Sequence, residues 1–405
     1  MINIDDKSKC CGCTACANIC PKSAIRMWVD AEGFLYPVVN LELCVNCGLC
    51  NRSCPVENPP AAGKGRLRSF ALRTKNSDDL KQSTSGGFFT PLAEYVINYD
   101  GVVCAAAYDD DFKIKHIFAE KTAEAERKLS LMRGSKYVQS GLEDCFLKIK
   151  GYLEERRLVC FVGTPCQVSG LKAFLQKDYE HLITVDLVCH GVPSPKLWDK
   201  YLDYQKSENH SEIDEISFRN KTYGYHSGTM KICFANGKTY YGSPRVDYML
   251  KSFYKDIASR QICYKCPFKT LERCSDFTLY ECWHASELVA ELKDDNRGYT
   301  NVMVQSAKGM QVLEQIRDRY EIYPVDTEKA VKLDGPLILN SAVPHPRRLE
   351  FYQAMEQKTM SELIELFIPV TRMDHLLERT KAVIYRLHLT QALKRFKRRI
   401  KGWHT

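Results

Sequence analysis

The chain has 405 residues, of which 44% are hydrophobic and 27% are charged. That length is too great for one ordinary core and predicts two or three domains, while the composition is that of a globular protein and excludes a disordered chain. The formal net charge is +8, and the ten Lys and Arg residues and two acidic residues of 371–405 account for all of it. The rest of the chain is therefore formally neutral, and we expect no nucleic-acid binding.

The start of the chain and its cysteine content indicate the cellular compartment in which the protein is expected. Residues 1–6 show no basic stretch ahead of an apolar one, and no run of about 18 apolar residues occurs, so we expect neither a signal peptide nor a membrane span. Nine of the 19 cysteines fall in the first 54 residues. Clustered cysteines in a cytoplasmic chain favour metal binding over disulfides, and the compartment is expected to be reducing and poor in oxygen.

Two cysteine runs with the same spacing dominate residues 1–58, the first predicted domain. Each has the form Cys-x2-Cys-x2-Cys-x3-Cys-Pro, in which the first three thiolates surround one cubane and the fourth reaches the other. The spacing predicts two 4Fe–4S clusters, one held by Cys10, Cys13, Cys16 and Cys54 and the other by Cys44, Cys47, Cys50 and Cys20. Zinc is the weaker alternative, because zinc sites do not need paired runs of this kind. Cys11 lies outside the spacing and is expected to be a bystander. The pattern resembles bacterial two-cluster ferredoxins.

The rest of the sequence alternates strand and helix patterns. Residues 55–66 are rich in Pro, Gly and Ala and predict a linker. The patterns then predict strands at 69–72 and 102–107, a helix at 88–98, a parallel β–α–β unit at 158–162, 165–175 and 182–188, a hairpin at Asn236-Gly237, helices at 247–259 and 308–320, and a helical region after residue 350. We therefore expect a mixed α+β and α/β architecture, with a ferredoxin-like domain at 1–58, a mixed α/β domain at 67–345 and a helical tail at 350–405.

The part of the chain that follows the predicted linker is called the body below. Two glycine-containing motifs in the body can offer backbone N–H groups to an anionic cofactor. Ser83-Thr84-Ser85-Gly86-Gly87 precedes the helix at 88–98, whose N-terminal dipole favours a phosphate or a flavin oxygen. Arg133-Gly134-Ser135-Lys136-Tyr137 can supply a cation and an aromatic face. The structural alternatives are a helix cap for the first motif and a surface loop for the second.

Cysteines of the body can supply a third cluster. Gly163-Thr164-Pro165-Cys166 ends the first strand of the β–α–β unit, and Cys189 follows the second strand. Because the carboxyl ends of parallel neighbours share one sheet edge, we expect Cys166 and Cys189 to meet there, with Cys263 and Cys266 completing the site. A rival set consists of Cys263, Cys266, Cys274 and Cys282, and spacing alone does not choose between the two. We expect Cys104, Cys145, Cys160 and Cys233 to be core residues, because they lie in apolar runs.

Together these motifs resemble the family of coenzyme F-420 hydrogenase/dehydrogenase β-subunits. The resemblance rests on residues 83–87, 134–140, 163–167, 189–195 and 263–266, and it spans about residues 67–315. It implies an iron–sulfur flavoprotein that binds FAD and exchanges electrons with a deazaflavin or another organic acceptor. It favours Cys166, Cys189, Cys263 and Cys266 as the cluster ligands. It also implies a flavin site lined by Ser83, Thr84, Ser85, Gly86, Gly87, Gly134, Ser135, Lys136, Tyr137, Gly163, Thr164 and Pro165.

One stretch departs from the family pattern. Many relatives carry Gly-Asp-Phe-Trp near the end of the β-rich part, whereas this chain has Tyr280-Glu281-Cys282-Trp283. A tyrosine in place of glycine predicts a different local backbone and acceptor pocket. The departure makes coenzyme F-420 less expected as the substrate and keeps Cys282 open as a ligand.

The end of the chain is basic and amphipathic. Leu389, Leu393, Phe396 and Ile400 share one helical face, and Lys and Arg residues occupy the other sides. This pattern predicts either contact with an anionic membrane surface or an acidic partner, or packing on the chain's own domain.

The combined pattern predicts a cytoplasmic iron–sulfur flavoenzyme, with a peripheral contact at the inner membrane face as an option that the tail offers. Electrons from a soluble donor such as ferredoxin, or from a partner redox subunit, would enter through the two N-terminal clusters, pass a third cluster and reach FAD. FAD would deliver them to a deazaflavin, a quinone or a small organic acceptor. The alternative is an electron-transfer subunit without its own substrate, docked on a partner enzyme. The sequence identifies no catalytic acid or base.

Overall fold

A computed structural model of the protein describes residues 1–387, apart from residues 64, 66 and 293. The amphipathic face predicted at Leu389, Leu393, Phe396 and Ile400 lies outside the described residues.

The N-terminal part is a small ferredoxin-like unit. Its elements are α1 (Ala15–Asn18), β1 (Ile25–Val29), β2 (Leu35–Val39) and α2 (Leu49–Arg52). β1 and β2 form an antiparallel hairpin. Each helix has only four residues and buries a single cysteine, Cys16 in α1 and Cys50 in α2, so the helices serve to place thiols rather than to build a large core.

The body consists of strands and helices that alternate along much of its length. Its further strands are β3 (Arg68–Thr74), β4 (Val102–Tyr108), β5 (Ile114–Ala119), β6 (Val159–Gly163), β7 (Leu182–Leu187), β8 (Ile213–Asn220), β9 (Thr229–Phe234), β10 (Thr239–Gly242), β11 (Phe277–Glu281), β12 (Thr300–Val304) and β13 (Tyr320–Val325). Its helices up to the last strand are α3 (Ser77–Gln82), α4 (Phe89–Asn98), α5 (Ala125–Met132), α6 (Cys145–Glu154), α7 (Pro165–Leu175), α8 (Pro195–Asn209), α9 (Tyr248–Tyr254), α10 (Ala285–Leu288) and α11 (Ala307–Gln315). The helices that follow are α12 (Thr327–Asp334), α13 (Arg348–Ala354), α14 (Met360–Phe367) and α15 (Arg372–Arg386).

Within the described chain, an eight-stranded mixed sheet has the order β13–β3–β12–β11–β7–β6–β4–β5. Its centre, from β11 to β4, is parallel, and the outer strands pair antiparallel. The central strands are apolar runs with both faces buried, which is the usual character of parallel strands. Helices α4 and α11 cover one face of this sheet, and α6 and α7 cover the other. A separate sheet of β10, β9 and β8 packs with α8, α9 and α14.

Several sequence predictions are confirmed in this fold. β6, α7 and β7 form the predicted parallel β–α–β unit, and Asn236-Gly237 joins β9 and β10 as a hairpin. The helix predicted at 247–259 ends at Tyr254, because Asp256 adopts a left-handed conformation (φ 57°) that stops it. The helix predicted at 308–320 ends at Gln315, and β13 already begins at Tyr320.

Buried polar contacts dock the ferredoxin-like unit on the body. Arg348 of α13 forms a two-pronged ion pair with Glu32, with nitrogen–oxygen distances of 3.0 and 2.7 Å. The fully buried Arg260 donates to the carbonyl oxygens of Cys10 and Leu35, at 2.7 and 2.8 Å. Because buried charges are tolerated only with well-placed partners, these contacts fix the position of the unit.

In the described part of the chain, no helix is both long enough and apolar enough to cross a membrane.

Candidate functional site

Two cavities in the ferredoxin-like unit are lined by cysteines. The distal cavity is lined by Cys20, Cys44, Cys47 and Cys50, and the proximal cavity by Cys10, Cys13, Cys16 and Cys54. Their volumes are about 370 and 330 Å³. The two quartets coincide with those predicted from the spacing, although the ligand assignment itself stays a prediction. Among the described residues, no three Cys, His, Asp or Glu side chains form a site for a single metal ion.

The local backbone explains how these thiols face inward. Gly12 and Gly48 have φ values of 70° and 73°, in the left-handed region, and each stands directly before or between cysteines of a run. Backbone N–H groups also reach the sulfurs: Ile2 donates to Sγ of Cys50 at 3.2 Å, and Ala24 donates to Sγ of Cys20 at 3.3 Å. Such N–H donors stabilise thiolate charge, which fits cysteines that bind iron.

A third cavity of about 490 Å³ lies in the body and is called the body cavity below. The cysteines that line it are Cys11, Cys166, Cys189, Cys263 and Cys266. Cys166 stands in the first turn of α7, directly after β6, and Cys189 follows β7. Because β6 and β7 are parallel neighbours, both thiols reach the same sheet edge, as predicted. The short turn Gln261–Lys265 and the residue after it add the other two thiols.

Cys11 is a functional candidate that the sequence analysis missed. Its side chain is buried and interacts with both Cys13 and Cys166, and it lines the body cavity as well as the proximal cavity. The peptide Cys10–Cys11 therefore connects the two cavities through consecutive residues. An extra cysteine beside a complete run was the one sequence signal that pointed to this role.

Burial and charge give the body cavity the character of a cluster site. Burial raises the pKa of Cys189 to about 12 and of Cys266 to about 11. Lys269 and Arg273 also line the cavity. Lys269 donates to the carbonyl oxygen of Cys189 at 2.5 Å. Its ammonium group would offset part of the negative charge of a cluster held by four thiolates.

The rival ligand set is not brought together. Cys274 packs beside the body cavity and contacts the hydroxyl of Ser169 at 3.5 Å. Cys282 is buried in a different apolar cluster, with Tyr299. The cysteines predicted to be core residues are buried at Cys104, Cys145 and Cys160, whereas Cys233 is only half-buried.

The three segments that the resemblance assigns to a flavin site lie next to one another. Thr84 accepts a hydrogen bond from the backbone N–H of Ser135 at 3.0 Å, which joins the first two segments. Gln167 donates to the hydroxyl of Ser140 at 2.9 Å, and the same Gln167 closes a capping box with Thr164, which joins the second segment to the third. Residues 134–140 thus bridge the loop before α4 and the start of α7.

Two lysines that contact these segments have lowered pKa values. Lys136 donates to three backbone carbonyls, the nearest being that of Arg133 at 2.9 Å, and Lys221 donates to three others, including that of Ser85 at 2.6 Å. Burial lowers the pKa of Lys136 to about 7 and of Lys221 to about 8. Neither forms an ion pair with a described carboxylate, so this edge fits an anionic group such as a dinucleotide diphosphate. Arg133 is instead paired with Glu126 at 3.0 Å.

Aromatic rings and one ion pair close the same region. Tyr137 stacks on Phe253 at a centroid distance of 4.5 Å, so one of its faces is already covered. Arg219 forms a buried ion pair with Glu281 and lies 4.8 Å from the Trp283 ring centroid. Within the described part of the chain, Nε of Arg219 and Oε2 of Glu281 are buried atoms without a hydrogen-bond partner.

Tyr280, which stands where many relatives have glycine, has its side chain turned away from this region. Tyr280 is buried with Met303, Val331 and Ile338, against α12 rather than beside Trp283. Strand alternation in β11 explains the difference, because neighbouring side chains face opposite sides of a sheet. His190 lines the body cavity and hydrogen-bonds Asp256 at 2.6 Å.

Comparisons with known proteins find two family matches in this chain. Residues 9–58 match the 4Fe-4S dicluster domain, so the N-terminal part is an iron–sulfur module of the ferredoxin type. Residues 156–329 match the family described as the C terminus of the coenzyme F420 hydrogenase/dehydrogenase beta subunit. The chain therefore combines an iron–sulfur module at its N-terminus with a segment, residues 156–329, that is similar to iron–sulfur electron-transfer subunits of the F420 hydrogenase/dehydrogenase type.

The relatives cover different parts of the chain. The F subunit of the F420H2 dehydrogenase of Methanosarcina mazei is 20% identical over 81% of this chain and 88% of its own length. An uncharacterized ferredoxin of Methanocaldococcus jannaschii is 38% identical over 13% of this chain and 66% of its own length. A chain in a structure of the F420-reducing NiFe hydrogenase complex from Methanosarcina barkeri aligns with a TM-score of 0.43 and 17% identity, over 73% of this chain and 92% of that one.

Proposed function

We propose that the protein carries electrons from its ferredoxin-type clusters through a third 4Fe–4S cluster in the body to a bound FAD. The observation that carries this proposal is the body cavity, where Cys166, Cys189, Cys263 and Cys266 meet beside Cys11. Cys11 is joined by one peptide bond to Cys10 of the proximal cavity. The proposed order is therefore distal cluster, proximal cluster, body cluster and flavin, with each cysteine quartet holding one cluster.

FAD is proposed to lie along the segments 83–87, 134–137 and 163–165. Lys136 and Lys221 support this placement, since each is a cation whose hydrogen bonds go to backbone carbonyls and a diphosphate would supply the missing negative charge. FAD would convert single electrons from the clusters into a two-electron transfer. The chain's own residues bind and orient it, and the position of His190 between the body cavity and Phe253 supports a short route from cluster to flavin.

The final acceptor is proposed to be a deazaflavin of the F420 type, with a quinone or a small organic acceptor as alternatives. The relatives' names support a deazaflavin. Arg219, Glu281 and Trp283 are proposed to contact the acceptor, because this group combines an aromatic ring with a guanidinium and a carboxylate. The division into domains at 1–58, 67–345 and 350–405 remains part of this proposal.

A second candidate is a subunit that delivers electrons to a partner enzyme and has no substrate of its own. The surroundings of the distal cavity favour it: Cys47 is exposed, and Leu41, Leu43 and Val45 are 68%, 50% and 60% exposed. An apolar rim around an accessible cluster suits a redox partner, either a soluble ferredoxin or a partner redox subunit.

The test is anaerobic purification followed by analysis of iron, sulfide and flavin per chain. About 12 iron atoms and one FAD are expected for three cubanes and a flavoprotein. Reduction of F420 by the protein with a chemical reductant, and no partner present, would distinguish the enzyme from the second candidate. About eight iron atoms without flavin would contradict both the third cluster and the flavin site.

A further inference from the structure

Helix α15 is attached to the body through its polar side. Asp374 forms an ion pair with Lys251 of α9 at 3.3 Å, and Glu378 accepts hydrogen bonds from the backbone N–H and the hydroxyl of Ser243. One turn further, Lys381 donates to the hydroxyl of Thr229 at 2.6 Å. Positions 374, 378 and 381 lie on one helical face, so the face that contacts the protein is charged.

The opposite side of α15 is apolar and faces solvent. Met373, Leu376, Val383 and Leu387 are 59%, 55%, 55% and 61% exposed. These positions lie together on the helical face that is turned away from positions 374, 378 and 381. A helix of a globular protein normally buries its apolar stripe and exposes its charges, whereas here the arrangement is reversed. The reversal marks the apolar side as a surface for binding.

The charge around this outer face indicates what binds there. Arg372 and Arg379 are exposed and lie on the flank of the apolar positions. From residue 379 to 405 the sequence has nine Lys and Arg residues and no acidic residue. An apolar stripe bordered by basic side chains is the pattern of a helix that lies in the interface of an anionic membrane. A second copy of the same basic surface would repel it.

We propose that the outer face of α15 binds the surface of a membrane that contains anionic phospholipids. Met373, Leu376, Val383 and Leu387 enter the headgroup boundary, while Arg372 and Arg379 pair with lipid phosphates. The polar side of the helix, held by Lys251, Ser243 and Thr229, transmits this contact to the body. The ferredoxin-like unit and the body cavity are thereby placed at a membrane surface, although no helix of the described residues could span it.

The test is co-sedimentation of the iron-loaded full-length protein with two kinds of vesicle, phosphatidylcholine mixed with phosphatidylglycerol and phosphatidylcholine alone. The protein is expected to bind the mixed vesicles and to bind the neutral ones at least about tenfold more weakly. The double substitution Leu376→Gln and Val383→Gln should weaken binding to the mixed vesicles by about tenfold or more, because the two side chains supply apolar area that is buried in the lipid. Leu147→Gln is the matched control, since Leu147 is 50% exposed on α6, and it should leave binding unchanged.

Two results would overturn the proposal. One is the absence of binding to the mixed vesicles, and the other is binding that the substitutions at Leu376 and Val383 do not weaken. Sedimentation velocity identifies the rival occupant: a dimer that these substitutions convert to a monomer, together with no vesicle binding, assigns the face to a second copy. Because no electron transfer is measured, the outcome is independent of the cofactor content proposed above.

Discussion

Replacing Arg260 with Met should lower the reduction potentials of the clusters on both sides of it. The guanidinium is fully buried and donates to the carbonyl of Cys10, to the side chain of Gln139 at 3.0 Å and to the carbonyl of Leu35. Its Cζ atom lies 4.0 Å from the Tyr36 ring centroid. Among the described residues it forms no ion pair with a carboxylate, so its charge is free to act on the clusters.

The size of the effect follows from the position of the charge. An added Cβ on Gly12, within the first cysteine run, would lie 3.0 Å from Nη1 of Arg260, and the charge also acts on the Cys166 thiol. A cubane held by the neighbouring cysteines is thus on the order of 8 Å away, where a unit charge contributes roughly 2 kcal/mol at an effective dielectric constant of about 20. For a one-electron couple this corresponds to ~90 mV.

The assay is a redox titration of the purified protein, monitored by electron paramagnetic resonance, with iron content measured on the same samples. Arg260→Met should shift the proximal and body clusters to more negative potentials and leave the distal cluster nearly unchanged. Arg260→Lys keeps the charge but loses the planar fork, so it should shift the potentials much less. Arg73→Met removes a buried arginine that is paired with Asp295 and Glu321, and it should not alter the potentials.

Potentials within ~20 mV of the unmodified protein in Arg260→Met, at full iron content, would refute this reasoning. That result would mean that the surroundings neutralise the guanidinium charge. Arg260 would then act only through the hydrogen bonds that hold the ferredoxin-like unit against the body. A loss of iron in Arg260→Met but not in Arg260→Lys would still locate the charge at the clusters, because only the charge differs strongly between the two variants.

Three further outcomes are expected. Cys11→Ser should keep about 12 iron atoms per chain, whereas Cys166→Ser should keep about eight; equal losses would make Cys11 a ligand. FAD binding to the flavin-depleted protein, followed by fluorescence, should weaken as pH rises through about 7, because burial lowers the pKa of Lys136 to about 7 and only its ammonium form pairs with a diphosphate. Lys136→Met should abolish that pH dependence, and a flat profile for the unmodified protein would contradict the assignment. Arg348→Met should lower the free energy of unfolding in urea by about 3–5 kcal/mol because it leaves the Glu32 carboxylate buried alone, and Glu32→Gln in the same chain should restore part of the loss.

The parts of the fold that the sequence predicts are those set by short-range patterns. The cysteine spacing groups the thiols of residues 1–54 into two quartets, and the alternation of buried strands with a Pro-initiated helix predicts the β–α–β unit at β6, α7 and β7. The parallel pairing then places Cys166 and Cys189 at one sheet edge. The helix predicted at 247–259 fails at Asp256, because the left-handed residue that ends it leaves no mark in the hydrophobic pattern.

The parts that could not be predicted depend on contacts between distant segments. The cysteine spacing assigns no ligand role to Cys11, because the first cysteine run is complete without this residue. It becomes a neighbour of Cys166 only because Arg260 and the pair of Arg348 with Glu32 hold the ferredoxin-like unit against the body. Buried polar contacts of this kind have no periodicity, so sequence patterns do not reveal them.

This docking also decides how the three cavities can work together. Cys47 leaves the distal cavity open to a partner, whereas Cys10 and Cys11 place the proximal cavity directly against the body cavity. A ferredoxin-like unit joined only by the linker predicted at 55–66 would hold the same two quartets but would not fix their distance from Cys166. Because electron transfer between clusters depends on that distance, the arginine contacts that set it would be part of the proposed electron route as much as the thiols. Selection on this chain should therefore act on Arg260 and Glu32 together with the cysteines, even though neither residue binds iron.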